Sequence, residues 1–338
     1  MSALPDHRKP FIILVPILDD WPSVESVLHG LDDVFAARGW IGSALVIDDG
    51  STEAPPPLGF EPRALRGVEI LRLKRNLGHQ RAICVGLCHL EKIYPGCPVI
   101  VMDGDGQDQP ADVPALVAEY DRSGGRRAVF AGRSKRPEGV LFKVFYWLYR
   151  VLHRFLTGRA IRVGNFSVLP ADAVGVVTSS PEAWSHYAAA VSQSRLPITI
   201  VDIPRAQRLE GPPRMNFVAL VTHGLSAITV FGDVVSVRLL IAAGLASVVG
   251  VLLVLAIWLL PAATGAAVPD GTVWFTVVAA IFLTQVNVGA LVVGFLIHHG
   301  RRTASVIPTR DFEHFVAGFG RWDNSGVRPH AAIVASAP

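Results

Sequence analysis

Cysteine is scarce in this sequence, and its three copies exclude a disulfide framework. Cys84, Cys88 and Cys97 are odd in number within 338 residues, and no Cys-x-x-Cys pair occurs. The sequence therefore also lacks the cysteine spacing of a structural zinc site. The pattern predicts buried free thiols.

Charge is also scarce. Charged residues make up 17% of the chain and the formal net charge is +3. A nucleic-acid-binding protein needs a strongly basic surface, so we expect no nucleic-acid partner. Met1–Pro10 is polar and lacks the apolar core of a secretory signal. We therefore expect the globular part of the chain to lie in the cytoplasm.

Apolar residues, by contrast, make up 51% of the chain and concentrate in two late runs. Leu239–Leu260 and Val273–Ile297 contain no charged residue. Each is long enough to cross a bilayer as a helix, which takes about 20 residues. The alternative is a pair of buried core helices, but such helices rarely stay apolar around their whole circumference. The runs predict two transmembrane helices in a cell membrane.

The residues that flank these runs predict an orientation. The connecting turn, Pro261–Thr272, contains Asp270 and no lysine or arginine. The positive-inside rule then places both long ends in the cytoplasm and the turn outside. The arginines on the outer flanks are Arg205, Arg208, Arg214, Arg238, Arg301 and Arg302.

The first 200 residues alternate short apolar runs with segments of helical periodicity, which predicts an α/β domain with a mainly parallel sheet. Ligands bind such sheets at the carboxyl ends of the strands. The predicted strands are Phe11–Val15, Ala44–Ile47, Val68–Leu73, Pro98–Met102 and Ala128–Phe130, and the predicted helices are Ser23–Ala37, Gln80–Tyr94 and Pro110–Tyr120.

Carboxylates follow three of these strands. Asp19-Asp20 follows the first, Asp48-Asp49-Gly50-Ser51 ends the second, and Asp103-Gly104-Asp105-Gly106-Gln107-Asp108 follows the fourth. A single such group can simply cap the next helix. Three groups brought to one edge repel each other unless a cation or sugar hydroxyls lie between them. Asp103, Asp105 and Gln107 present alternating oxygen ligands suited to Mg²⁺ or Mn²⁺.

The ordered set of motifs resembles glycosyltransferase family 2. It consists of Val15-Pro16 with Asp19-Asp20, Asp48-Asp49-Gly50-Ser51, Asn76-x-Gly78-His79-Gln80, and Asp103-x-Asp105-x-Gln107-Asp108-x-Pro110. With two apolar runs after it, the chain is similar to the polyprenyl-phosphate glycosyltransferases, such as dolichol-phosphate mannose synthase and the bactoprenol glucosyltransferases. The resemblance implies a GT-A-like fold (a Rossmann-like, mainly parallel sheet with flanking helices) plus two C-terminal transmembrane helices.

The resemblance also implies roles for individual residues. Asp103, Asp105 and Gln107 would bind the divalent metal, and Asp105, Arg133 and Asn165 would act in catalysis. Asn165 stands where many relatives have aspartate, and Leu18-Asp19-Asp20 replaces a common Tyr-Asn-Glu. The nucleotide sugar would contact Pro16, Asp20, Asp48, Asp49, Asn76, Gly78, Gln80 and Asp103.

Arginine and lysine residues form a second expected site, for the acceptor phosphate. Arg133 and Lys135 follow the fifth predicted strand, and Arg205 and Arg208 precede the membrane runs. Guanidinium groups bind phosphate with two hydrogen bonds. The alternative for each residue is ordinary charge near a membrane.

Aromatic and basic residues interleave in Leu141–Leu156. This composition predicts a helix that lies in the membrane interface. A helix packed on the sheet is the alternative.

The expected domains are a tail (1–10), a catalytic domain (11–210), juxtamembrane helices (211–236), a transmembrane hairpin (237–298) and a cytoplasmic tail (299–338). The amides Gln285 and Asn287 lie inside the second run. Since unpaired amides are costly in lipid, we expect them to face the first run or a second copy of the chain. Relatives assemble as oligomers, which favours a homo-oligomer packed through the small residues Gly244, Ala246 and Gly250.

The sequence thus predicts transfer of a sugar from a UDP- or GDP-linked donor to polyprenyl phosphate at the membrane. The resemblance implies inversion at the anomeric carbon. One alternative is a polysaccharide synthase of the same fold, but the sequence has no Gln-x-x-Arg-Trp and only two apolar runs. The other is an inactive membrane scaffold that binds sugar nucleotides, against which the retained Asp103, Asp105 and Gln107 argue.

Overall fold

The computed structural model describes residues 10–133, 150–158, 163–209, 217–265, 267–268, 270–302 and 306–330. These residues divide into two compact units. The sheet unit falls within Met1–Lys143, Arg162–Val230 and Val306–Pro338, and the membrane-helix unit falls within Val144–Ile161 and Phe231–Ser305.

The sheet unit is built on one mixed sheet, with the strand order β7-β5-β6-β4-β1-β2-β3-β8-β9 among the described residues. Its centre, β3-β2-β1-β4, is parallel, whereas β6 pairs antiparallel with β4 and with β5. The strands are β1 (Phe11–Ile17), β2 (Gly42–Asp48), β3 (Leu65–Leu73), β4 (Val99–Val101), β5 (Ala128–Arg133), β6 (Val163–Leu169), β7 (Ile198–Ile203), β8 (Val316–Asp323) and β9 (Gly326–Pro329).

Helices cover both faces of this sheet. One hydrophobic core packs α1 and α3 on one face, and a second packs α2, α5 and α6 on the other. Strand β1 is apolar throughout because both of its faces are covered: Ile13 and Val15 belong to the first core, and Ile12 and Leu14 belong to the second. The helices of the unit are α1 (Trp21–Arg38), α2 (His79–Ile93), α3 (Val113–Arg122), α5 (Ala171–Thr178), α6 (Tyr187–Gln193), α7 (Phe217–Thr229) and α10 (Pro308–Asp311).

This architecture confirms the predicted α/β class, and each predicted strand and helix of the first 130 residues is present within a few residues of its expected ends. The three cysteines are free, as predicted. Cys84 and Cys88 are buried on α2, whereas Cys97 is partly exposed and so differs from the expected buried thiol.

The predicted cytoplasmic tail differs most from the structure. Strand β8 pairs antiparallel with β3, and β9 pairs with β8. Strands β8 (Val316–Asp323) and β9 (Gly326–Pro329) are therefore part of the sheet and not of a tail. Trp322 is 1% exposed, its Nε1–H donates to the Pro56 carbonyl at 2.7 Å, and its ring meets that of Trp21 edge-on at 5.5 Å.

The membrane-helix unit contains a helical stretch at 150–157 (α4) and two long helices, α8 (Gly232–Thr264) and α9 (Thr272–Arg302). Both long helices are apolar enough to cross a membrane, and almost none of their most apolar stretches is buried. They are unlike the buried core helices of a soluble protein, so both are candidate membrane spans by length and composition. Both extend several residues beyond the predicted hairpin, 237–298. Residues 141–149 of the predicted interfacial helix lie outside the described residues.

Helices α8 and α9 form an antiparallel hairpin with polar links. Trp258 donates its indole N–H to Thr276 Oγ1 at 3.0 Å, and Asn287 Nδ2 donates to Ser247 Oγ at 2.5 Å. Asn287 therefore faces α8 of its own chain, whereas Gln285 is exposed. Gly250 has no side chain, which allows Leu283 to pack against it; a Cβ at position 250 would lie 2.5 Å from Leu283 Cδ1.

The added strands yield a test of stability. Replacing Trp322 with alanine removes a buried ring and its hydrogen bond to Pro56, which should lower the local free energy of opening by about 3–5 kcal/mol. Hydrogen-exchange mass spectrometry on the full chain should show faster exchange in β3 peptides. The matched control is Trp274→Ala, since Trp274 is 75% exposed on α9. Equal exchange of the β3 peptides in both variants would show that β8 does not stabilise the sheet.

Candidate active site

Three neighbouring strands deliver carboxylates to one edge of the sheet. Asp20 follows β1, Asp48 ends β2, and Asp103 lies two residues beyond β4. Because β1 lies between β2 and β4 and runs parallel to both, the three strand ends are adjacent. The convergence expected from the sequence is therefore present.

Two arginines of the segment after β7 neutralise this acidic edge. Arg208 forms an ion pair with Asp20, and its Nη1 lies 3.7 Å from Asp105 Oδ2. Arg205 Nη2 lies 3.7 Å from Asp103 Oδ2. Both guanidinium groups are largely buried, with side chains 15% and 16% exposed. Residues expected to bind donor, metal and acceptor are thus brought together.

The backbone fixes this segment over the loop that follows β4. Ala206 N–H donates to the Gln107 carbonyl at 3.2 Å, and Leu209 N–H donates to the Asp105 carbonyl at 3.1 Å. Gly106 has φ +79°, and a Cβ there would lie 2.4 Å from Leu209 Cγ. Glycine is therefore required at 106 both for its backbone conformation and for the contact.

Asp103 and Asp105 fit a divalent ion in part. Burial raises the pKa of Asp105, and the negative charge of Asp103 raises it further. The hydrogen bond from the Gln107 N–H and the charges of the two arginines lower it, but the pKa stays raised overall. A cation between the carboxylates would relieve this repulsion. Gln107 contacts Asp105 through its backbone N–H at 3.0 Å. No cluster of three His, Cys, Asp or Glu side chains suited to a metal occurs in the described ranges, so phosphate oxygens or water would supply further ligands, as is usual for Mg²⁺.

A chain of hydrogen-bonded amide groups holds the carboxylate of Asp103. Asn165 Nδ2 lies 3.3 Å from Asp103 Oδ1, and its Oδ1 accepts from Gln80 Nε2 at 3.1 Å. Gln80 Oε1 in turn accepts from the Tyr187 N–H at 2.7 Å. These residues join β4, β6, α2 and α6, so Asn165 and Gln80 contribute to the orientation of Asp103.

His79 also contacts Asp103, a role that the sequence analysis did not assign. Its Nε2 lies 3.0 Å from Asp103 Oδ1. Burial lowers the pKa of His79, but the charges of Asp103, Asp105 and Asp108 outweigh it and raise the pKa overall. The sequence signal that could have identified His79 as a site residue was its position inside the Gly78-His79-Gln80 motif.

Asp49, Asn76 and Gly78, expected at the nucleotide, build a loop in this structure. Asp49 accepts from the N–H groups of Leu77 at 2.7 Å and Gly78 at 3.0 Å. Asn76 Oδ1 accepts from the same Gly78 N–H at 2.9 Å. Burial raises the pKa of Asp49, against these hydrogen bonds. Both Asp49 oxygens are therefore engaged in holding the start of α2.

Asp48 and Asp19 are likewise tied to neighbouring backbone. Asp48 Oδ1 accepts from the Ser51 N–H at 2.7 Å, and Arg72 Nε lies 3.2 Å from its Oδ2. Asp19 adopts φ +46° and accepts from Thr52 N at 2.7 Å. The sequence did not predict a positioning role for Arg72 or Asp19. Arg72 is paired with Asp48 by the register of β2 and β3, and Asp19 contacts Thr52 in the loop that follows β2.

The remaining expected residues are placed less fully. Pro16 is buried in β1 opposite Ile47 of β2. The backbone of Arg133 ends β5, but its side chain lies outside what the structure describes, and so does Lys135.

No family model matches the sequence. Among curated proteins, the chain is 28% identical over 163 residues to an undecaprenyl-phosphate 4-deoxy-4-formamido-L-arabinose transferase of Klebsiella pneumoniae subsp. pneumoniae, covering 48% of each chain. It is 26% identical over 155 residues to the protein so named in Salmonella paratyphi B, covering 45% of this chain and 46% of that one. The chain is similar to undecaprenyl-phosphate sugar transferases. This confirms the resemblance stated from the motifs, although the match spans about half the length of these relatives.

Two solved structures show a weaker likeness. One is glucosyl-3-phosphoglycerate synthase from Mycobacterium tuberculosis in complex with phosphoglyceric acid, with 16% identity, 68% of this chain and 80% of that chain covered, and a TM-score of 0.48. The other is mannosyl-3-phosphoglycerate synthase from Rubrobacter xylanophilus, with 15% identity, 66% and 72% covered, and a TM-score of 0.47.

The loop held by Asp49 yields a test of its structural role. Asp49→Ala would leave the buried Leu77 N–H without its acceptor, and we expect it to lower the free energy of unfolding by about 1–3 kcal/mol. Asn76→Ala is the matched control, since exposed Asn76 accepts from the same Gly78 N–H; we expect a loss below about 1 kcal/mol. Denaturant unfolding of both variants decides, and equal losses would contradict the assignment.

Proposed function

We propose that this protein is a membrane glycosyltransferase that transfers a sugar from a UDP- or GDP-linked donor to polyprenyl phosphate. One observation carries the proposal: Asp20, Asp103 and Asp105 meet Arg205 and Arg208 at one edge of the sheet. The carboxylates can receive a cation with its diphosphate, and the guanidinium groups can receive a phosphate acceptor. The similarity to undecaprenyl-phosphate sugar transferases supports the substrate class.

The donor would lie against the ends of β1, β2 and β4. Asp20 and Asp48 would face the nucleoside, and Asp103 with Asp105 would hold Mg²⁺ or Mn²⁺. When bound, the ion supplies positive charge that stabilises the departing nucleoside diphosphate. Asn165, Gln80 and His79 would keep Asp103 in place through the contacts described above.

The acceptor would bring its own nucleophile. A phosphate monoester is largely ionised near neutral pH, because its second pKa is about 6. One of its oxygens would bond to the anomeric carbon as the bond from that carbon to the diphosphate oxygen breaks, with the electron pair leaving on the diphosphate. Since no proton must be removed, the neutral amide of Asn165 is compatible with the reaction.

Arg205 and Arg208 would change partners during this cycle. With the carboxylates bound to a cation, the two guanidinium groups would be released to bind phosphate, each with a planar pair of donors. Arg133 and Lys135 would add to the same acceptor site. The contacts of Ala206 and Leu209 with the loop after β4 couple the segment to the metal-binding residues.

The membrane hairpin would hold the site at the bilayer surface of a cell membrane. We propose that α8 and α9 both span, with the catalytic unit and both ends in the cytoplasm, because the arginines flank the outer ends. The exposed Gln285 on α9 supports a homo-oligomer in which a second copy receives this amide.

A second candidate is an inactive scaffold that binds sugar nucleotides without metal. The arginines that occupy the acidic edge favour it, since they can neutralise the carboxylates permanently. It predicts nucleotide binding without lipid-linked product, whereas the transferase predicts both.

The first test removes a proposed metal ligand. Asp105→Asn keeps size and shape but removes the charge, so transfer to undecaprenyl phosphate should fall by more than the about 10–100-fold that loss of an outer metal partner costs. Chelation of divalent ions should do the same to the unaltered protein. The control is exposed Glu61→Gln, which should transfer normally; full activity of Asp105→Asn, or in excess chelator, would overturn the metal assignment.

The second test concerns Arg208. Arg208→Gln should raise the apparent KM for lipid phosphate by at least about tenfold, since a hydrogen bond to a charged group contributes about 1.5–3 kcal/mol. Arg208→Lys should recover only part of this, because lysine restores the charge without the paired donors. Exposed Arg66→Gln serves as the control. If the apparent KM for lipid phosphate were unchanged in Arg208→Gln, Arg208 would have only a structural role, as the ion-pair partner of Asp20.

A further inference from the structure

A groove in the membrane-helix unit combines two arginines with an apolar wall. Arg154 of α4 and Arg238 of α8 line it together with Phe155, Ile241, Ala242 and Leu245. We call these six residues the arginine-rimmed groove. No residue of the groove belongs to the sheet unit that carries the acidic edge.

Arg238 is held in the groove by backbone. Its Nη1–H donates to the Phe155 carbonyl at 2.8 Å, at the carboxyl end of α4, where a cation is favourable to a helix. Gly158, with φ +76°, lies so close that a Cβ there would be 2.5 Å from Arg238 Nη2. Among the described residues, no salt bridge joins Arg238 or Arg154 to a carboxylate. Within that part of the chain, the groove therefore carries two positive charges without a carboxylate partner.

The apolar wall continues in the direction of the membrane core. Ile241 and Leu245 follow Arg238 by three and seven residues on α8, which places them about 4.5 and 10.5 Å further along the helix axis. No charged residue occurs between Arg238 and Asp270. Phe155, Ile241 and Leu245 are 62%, 57% and 62% exposed, which water disfavours and lipid does not. Cations at the rim with hydrocarbon beneath them match a phosphate headgroup above its acyl chain.

We propose that the arginine-rimmed groove binds an anionic phospholipid of the bilayer, with the headgroup phosphate on Arg154 and Arg238 and the first acyl carbons along Ile241 and Leu245. Two neighbouring guanidinium groups favour a lipid with net negative charge over a zwitterionic one, whose amine repels them. We assign the groove to a resident lipid, and the test below separates that lipid from the reacting acceptor. The proposal rests on insertion of α8 in a membrane and not on sugar transfer.

The test uses the full chain in detergent micelles, titrated with phosphatidylglycerol or phosphatidylcholine and observed by native mass spectrometry. Each arginine near a membrane surface contributes about 1 kcal/mol towards anionic lipid, so the unaltered protein should prefer phosphatidylglycerol by at least about tenfold. Arg154→Gln should reduce that preference at least about threefold, and Arg238→Lys should keep most of it. Arg66→Gln, on the exposed surface of the sheet unit, is the control and should leave it unchanged.

Two results would overturn the proposal: equal binding of the two phospholipids by the unaltered protein, or an unchanged preference in Arg154→Gln that also persists in Arg154→Gln/Arg238→Gln. A third would reassign the groove to the acceptor, namely displacement of phosphatidylglycerol by undecaprenyl phosphate together with a raised KM for that acceptor in Arg154→Gln. The lipid preference is measured without a sugar donor. Failure of transfer in the unaltered protein would therefore count against the proposed function and leave this result standing.

Discussion

Repulsion between carboxylates at one edge of the sheet is the constraint on which the rest of the site depends. The parallel order of β2, β1 and β4 brings Asp48, Asp20 and Asp103 to adjacent strand ends. Uncompensated, buried charges of one sign are costly. Arg208 compensates Asp20, Arg205 lies near Asp103, and Arg72 pairs with Asp48. The segment that carries Arg205 and Arg208 is also held by backbone hydrogen bonds to the loop after β4.

The same constraint is compatible with the proposed reaction. The carboxylates require positive charge, but two different sources can provide it, arginine or a divalent ion with its diphosphate. In the proposed reaction the second source replaces the first and the arginines become available to the acceptor phosphate. The amide chain through Asn165, Gln80 and Tyr187 would let this exchange occur while Asp103 stays in one orientation.

Much of the fold could be predicted from the sequence because its signals are local. Apolar runs that end in aspartate marked β1, β2 and β4, and charge-free runs marked α8 and α9. Strand β8 was missed since Val316–Asp323 contains two glycines, follows the second long apolar run, and joins the sheet by pairing with β3, some 250 residues earlier in the chain. The site was predicted as a set of residues, but not as a set of contacts. Arg208 and Asp20 are separated by 188 positions. No sequence pattern distinguishes Asp49, whose two oxygens both hold backbone N–H groups, from Asp105, the proposed metal ligand.

The central claim is that this protein forms a sugar–phosphate bond on a polyprenyl lipid, and the product tests it most directly. Purified full-length protein would be incubated with undecaprenyl phosphate, a divalent ion and a panel of UDP- and GDP-sugars, and the extracted lipid analysed by mass spectrometry. The account predicts, with at least one donor, a lipid that has gained one sugar and still carries a single phosphate, with release of the nucleoside diphosphate. A lipid that gains a second phosphate together with the sugar, or nucleotide binding without any lipid-linked product across the panel, would contradict it.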